Sequence, residues 1–311
     1  VNAPVLVLVW LLQPAAAQGA LGTARPPECA ASARFGWERA KEPNLRRYCE
    51  LLASGTTKLV EPVSMALVEQ VPAIADEADR LMPGRASASV LKGRALLRLG
   101  HAEEALAALR EAKRRDERAL DDPVALLAWA RANARTDRLA DAVRAYRAAL
   151  PRASALPPSA RAAASFEAGI AVMAQGPEGI DDAVAMLRQA RRDAQDAMQV
   201  ASLAALALAL DRAGQRDEAA AVLAERSHAD VKAFLGDARV TDALLDAGAR
   251  HEADALLAIA LEASGAQGAR DAWRAYVAGA GGKGPWAAHA RDRAGGAPAA
   301  RRATPRRTGL P

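Results

Sequence analysis

The sequence predicts an all-α protein, an α-solenoid of stacked helix-turn-helix hairpins with capping helices at both ends, and three observations carry that expectation. First, one phrase keeps returning: an acid, then Ala-x3-(Leu/Tyr), usually with a second Ala three residues on. It reads Glu104-Ala105-x3-Leu109-x2-Ala112, Asp141-Ala142-x3-Tyr146-x2-Ala149, Asp182-Ala183-x3-Leu187-x2-Ala190, Glu218-Ala219-x3-Leu223 and Glu252-Ala253-x3-Leu257-x2-Ala260. Second, the leading alanines are 37, 41, 36 and 34 residues apart. A period in that range marks helical hairpins that bury their apolar faces only against their neighbours. Third, no segment shows the alternation of β-branched residues that a strand requires. Aromatic residues are only 4% of the chain, so the interior is Ala and Leu packed at short interhelix distance. The 311 residues, 51% of them hydrophobic, can bury a sizeable core without dividing into domains.

In chain order, residues 5–12 form an apolar run, Val-Leu-Val-Leu-Val-Trp-Leu-Leu, followed by Pro14 and Ala15-Ala16-Ala17-Gln18. A short apolar core before a small-x-small site is the pattern of a secretory signal peptide, expected over residues 1–17 with cleavage after Ala17. That places the mature chain in the periplasm or outside the cell; with no cleavage, it stays cytoplasmic. The run falls well short of the ~20 residues that span a bilayer, and no later segment reaches that length. Residues 18–59 form an N-terminal cap region holding both cysteines, Cys29 and Cys49. An exported chain can pair them as a disulfide; the alternative is two small buried thiols.

Repeats fill residues 60–280. Their phrase resembles the second helix of the tetratricopeptide repeat, in which small residues sit where two helices cross closely and a large one wedges between repeats. Val90 to Ala112 matches best. Gly93 falls at the small helix-A position, Leu96 at the large one, Gly100 at the turn, and Ala105, Leu109 and Ala112 on helix B. Ala78 and Pro83 fit the end of a preceding unit, with Pro83 stopping its helix. Later repeats depart from the pattern: Ala130, Ala171 and Ala207 stand at the glycine position, Thr241 is polar there, and Arg226 replaces an expected Ala. The third turn carries the extra residues Gln175-Gly176-Pro177-Glu178-Gly179. The resemblance implies five or six hairpins and a non-catalytic scaffold whose curved surface holds another polypeptide. Beyond the repeats, residues 281–293 are expected to form a terminal capping helix containing Trp286 and His289. Residues 294–311, almost free of large apolar groups, are expected to be a disordered basic tail.

The net charge of +5 is local. From residue 281 on there are seven basic residues and one acid, which leaves residues 1–280 at a net −1. Arg301-Arg302 and Arg306-Arg307 are either simply solvated or able to touch lipid headgroups or nucleic acid. Nucleic acid is therefore a partner of the tail only, in a cytoplasmic adaptor reading that stands as the alternative. The four histidines, His101, His228, His251 and His289, fall outside every ligand spacing such as His-x3-His, so no metal and no cofactor are expected. Gly279-Ala280-Gly281-Gly282-Lys283-Gly284 follows a helix and lacks a Ser or Thr after the lysine, which makes it a linker rather than a phosphate loop. No nucleophile elbow is present, and an enzyme is not expected.

The first helix of each pair lines the concave surface in this architecture. Arg94 and Arg98, then Arg131 and Arg135, are each spaced i, i+4, and corresponding members are 37 residues apart. Superposed repeats would gather them into a two-by-two patch able to hold the carboxylates of an acidic peptide or a chain terminus. The other reading is a solvated arginine face, or pairing with nearby acids such as Asp116 and Asp137. Val124, Leu127, Leu208 and Leu235 are either core or an apolar groove for an amphipathic helix or extended peptide.

Overall fold

The computed structural model describes residues 26, 28–29, 42–60, 64–225, 233–265 and 267–295. The expected signal peptide, Arg226, His228 and the chain beyond Gly295 lie outside them. Among the described residues the regular structure is helical, with no strand. Helix α1 (Leu45–Thr57) packs against α3 (Val71–Leu81), with the single turn α2 (Met65–Val68) between them. Then come α4 (Ala86–Arg98) on α5 (Ala102–Arg115), α6 (Pro123–Arg135) on α7 (Leu139–Ala149), α8 (Pro158–Gln175) on α9 (Ile180–Asp193), and α10 (Asp196–Arg212) on α11 (Arg216–Leu223). The chain ends in α12 (Ala238–Asp246), α13 (Glu252–Ala263), α14 (Ala269–Ala278) and α15 (Ala287–Gly295). Helices α1 and α3 thus pack on each other from either side of residue 60, the expected border between cap and repeats. The last helix reaches Gly295, two residues into the expected tail.

Local chemistry explains the hairpins. Their turns repeat one closure, in which the Leu96, Asn133, Leu210 and Leu244 carbonyls accept from the N–H groups of His101, Arg138, Gln215 and Ala249. The residue before each donor is left-handed: Gly100 at φ 83°, Asp137 at 57°, Gly214 at 80° and Gly248 at 68°. This is the Schellman closure, and it satisfies carbonyls that a helix end otherwise leaves unpaired. Pro123 at the first position of α6 follows Asp122, whose side chain accepts from Val124 and Ala125 N–H, so that helix is capped at the other end too.

The close crossing predicted for the repeat is present, with one correction. A Cβ on Gly93 would stand 2.6 Å from Leu109 Cγ and 3.1 Å from the Ala105 carbonyl oxygen. On Gly169 it would stand 2.6 Å from Leu187 Cγ and 3.3 Å from the Ala183 oxygen. Gly169 is thus the counterpart of Gly93, and Ala171 is not. The extra turn, 3-10 over Pro177–Gly179, lengthens the step from the small residue to its alanine by two residues and shifts helix A by that amount.

The fifth phrase is a second correction. In the earlier repeats the phrase alanines Ala105, Ala142, Ala183 and Ala219 are buried, while Glu104, Asp182 and Glu218 are exposed. In α13 the acid Glu252 is fully buried, and Ala253 and Leu257 are only half-buried. The helix has rolled by about one residue, ~100°. It has rolled because α13 packs directly on α10 and α14, while α12 crosses the interior to meet α6, α8 and α10. Helix α10 is accordingly enclosed, with fourteen of its seventeen residues buried. No described helix is long and apolar enough to cross a membrane.

At the N-terminal end, Cys29 and Cys49 are joined by a disulfide. The bond ties the short segment at residues 28–29 to α1. Glu28 accepts from Tyr48 Oη at 3.1 Å and from Ser87 Oγ at 2.7 Å on α4, so the segment seals the open end of the stack.

Candidate peptide-binding groove

Helices α6, α8 and α10 form the inner face of the stack, and α12 lies along it. Arg131 and Arg135, one turn apart on α6, point into this face. Arg131 donates to Glu167 of α8 through Nε and Nη2, both at 2.8 Å, a bidentate pair that only a guanidinium can make. Its Nε also stands 3.6 Å from Asp246 Oδ2. Arg135 donates to Asp246 Oδ1 at 2.7 Å and to the Leu97 carbonyl at 3.1 Å, so α4 and α6 lie side by side as superposed repeats require. Tyr146 Oη of α7 donates to the Asp246 carbonyl at 2.7 Å, with Glu167 Oε2 3.2 Å away.

The electrostatics follow from burial. Burial pushes the Glu167 carboxyl up further than the charge and hydrogen bonds of Arg131 pull it back, and Asp246 adds to the push. Burial, with the Glu167 charge, holds the Tyr146 hydroxyl well above its ordinary value, so it stays a donor. For Arg131 burial works against the charge, but Glu167 and Asp246 outweigh it and the guanidinium stays protonated. Breaking one member of such a buried network costs about 3–5 kcal/mol, because the partner charge is left stranded.

Apolar contact completes the seat. Val240, Ala243 and Leu244 on α12 are buried, as are Leu127 on α6 and Leu208 on α10. Val124 and Leu235 pack at the margin of the same core. Leu127 and Leu208, read from the sequence as either core or groove, are thus core side chains, packed with the amphipathic α12 that the chain itself supplies. Beyond α12, a Cβ on Gly248 would stand 2.8 Å from the Ala134 carbonyl oxygen, so the turn abuts the end of α6.

The four arginines do not form one patch of open donors. Arg131 and Arg135 are engaged with Glu167, Asp246 and the Leu97 carbonyl, rather than with Asp116 or Asp137. Arg94 is half-buried on α4 and Arg98 is exposed. Burial lowers the Arg94 value against the charge of Asp122, and Arg98 lowers it further. Two members of the site, Glu167 and Asp246, went unread in the sequence, and Tyr146 was read only as the large residue of its phrase, not for its hydroxyl. Glu167 lies one repeat length from Arg131, a step of 36 residues, and that spacing was a usable signal.

A second buried cluster fastens the C-terminal helices. Arg212 of α10 pairs with Glu252 at 2.8 Å and lies between the rings of Tyr276 and Trp286, 5.7 and 5.0 Å from their centroids. Those aromatic faces offset the Nε and Nη1 donors that bond to no protein group. His289 packs edge-on to Trp273 and Trp286 and meets Asp211 at 2.7 Å. Trp286 Nε1 donates to the Met173 carbonyl at 2.7 Å, which pins α15 to α8.

No protein-family model matches the sequence, and no curated protein matches it. Solved structures similar to it include the crystal structure of MamA protein, at 14% identity and a TM-score of 0.44, covering 64% of this chain and 91% of that one. Another is Naa15/Naa10 bound to HypK-THB, at 16% identity and 0.41, covering 80% and 39%. A third is the APC/C hetero-tetramer Cut9–Hcn1, at 16% identity and 0.38, covering 86% and 57%. This chain spans well under two thirds of the latter two. At these values the likeness adds nothing to the helix packing, which by itself makes the fold a solenoid of stacked hairpins.

Proposed function

We propose that the protein is a non-catalytic scaffold whose inner groove binds another polypeptide. The supporting observation is that the groove already holds a helix, by an apolar face together with Arg131, Arg135 and the Tyr146 hydroxyl. The partner is an amphipathic segment presenting an acid or a terminal carboxylate. Its place of work is the cell envelope or the exterior. The apolar run before Ala15-Ala16-Ala17 and the Cys29–Cys49 bond support that, since disulfides persist in oxidising compartments.

Photo-crosslinking groups at Val124 and Leu235, half-buried at the rim of the same core, test the reading beside controls at Arg144 and Arg188 on outer helices. A polypeptide captured in the native host from the rim positions alone is the expected result. Capture from the outer helices alone removes the groove from the function. Recovery of nucleic acid, salt-sensitive and lost when residues 296–311 are deleted, replaces the reading with a cytoplasmic adaptor.

A further inference from the structure

We infer that α12 is an internal competitor: it occupies the groove as a stand-in ligand, and an incoming acidic amphipathic helix must displace it to reach Arg131, Arg135 and Tyr146. The inference rests on reading the groove as a polypeptide-binding surface, and three observations carry it further. Asp246 sits in the last turn of α12, where the helix dipole disfavours a negative charge. Nothing within the helix compensates it; the two arginines of α6, more than a hundred residues earlier in the chain, do.

The second observation is that α12 uses both kinds of contact a bound helix would use. Val240, Ala243 and Leu244 fill the apolar floor, while the Asp246 carboxylate and carbonyl take the polar donors. The third is the contrast between α12 and the last three helices. Helices α13 to α15 are fastened to α8 and α10 by Arg212, Glu252, Asp211, His289 and Trp286. Helix α12 shares none of these attachments. It is nine residues long, lies between Gly236 and Gly248, and is held by its own apolar face and by Asp246, the contacts that an incoming helix of the same chemistry would replace.

A synthetic, fluorescently labelled peptide of residues 237–248 tests this on the full chain. An internal helix at millimolar effective concentration masks the groove, so the native chain binds the peptide weakly. The Val240→Asp/Leu244→Asp variant, whose own α12 no longer fits, is expected to bind it about a hundredfold more tightly. The same peptide carrying Asp246→Asn should lose about tenfold of that gain. Equal binding to both chains, or no binding to a variant with a cooperative melt, overturns the inference. Should the variant not fold, hydrogen exchange on the native chain decides. Exchange of α12 amides about tenfold faster than those of α10 supports a displaceable helix, and exchange of both in one global event overturns it. A groove that crosslinks a partner while α12 stays fixed would leave the scaffold reading standing without this competitor.

Discussion

Asp137 occupies a position that three other turns give to glycine. Its φ of 57° lies in a region that costs a side chain bearing a Cβ, although Asp tolerates it better than most. We expect Asp137→Gly to raise stability by about 0.5–1 kcal/mol, read as an increase in the denaturation midpoint at unchanged slope. The reverse holds at Gly169, where any larger residue drives into Leu187. Gly169→Val should cost about 1–3 kcal/mol by overpacking, whereas Ala171→Gly, at the position the periodicity favoured, should lose only the helix-propensity difference of about 1 kcal/mol. Glu252 makes the chain acid-sensitive. Burial pushes its carboxyl up, but the Arg212 charge and the hydrogen bonds of His251 and Arg212 win and hold it at about 2, below its ordinary 4.5. A value lower in the folded chain than in the unfolded one stabilises above pH 4.5, and that contribution drains away as pH falls towards 2. It amounts to on the order of 3 kcal/mol. Denaturation curves at pH 5, 4 and 3 should therefore steepen their loss in the native chain relative to Glu252→Gln.

At the scale of helices, the acid that opens each phrase has a partner as well as a place near a helix N-terminus. Arg147 of α7 reaches Asp182 of α9 at 2.7 Å, and Arg188 of α9 reaches Glu218 of α11 at 2.6 Å. Each arginine stands six residues after its own phrase acid, so the pairs recur with the repeat. They are solvent-exposed, and a double-mutant cycle on Arg188 and Glu218 should give a coupling of about 0.5 kcal/mol or less that fades with added salt. These features were legible because a solenoid writes its contacts at a fixed spacing: Gly93 with Leu109, Arg131 with Glu167. The roll of α13 and the closure by α12 were not. Their contacts, Glu252 with Arg212 and Asp246 with Arg135, obey no repeat length, and a phrase can recur in sequence while facing a different neighbour. The disulfide pairing was open to either reading until the fold brought the segment at Cys29 onto α1.

For the molecule as a whole, the two ends of the stack are finished by different means. The N-terminal end relies on Cys29–Cys49, and replacing both by Ser should lower stability by about 3 kcal/mol on the chain-entropy account, with exchange rising first in α1 and α3. The C-terminal end relies on α12 to α15 folding back over α6, α8 and α10. An open solenoid is modular, and its hairpins can be added or removed because each meets only its neighbours. Here the helix that completes the groove must land on a hairpin three units behind it, with Asp246 in reach of Arg135. Inserting or deleting one hairpin between α7 and α10 would carry that landing site away, so the number of repeats, which drifts freely in open arrays, is fixed in this chain by the geometry of its own closure.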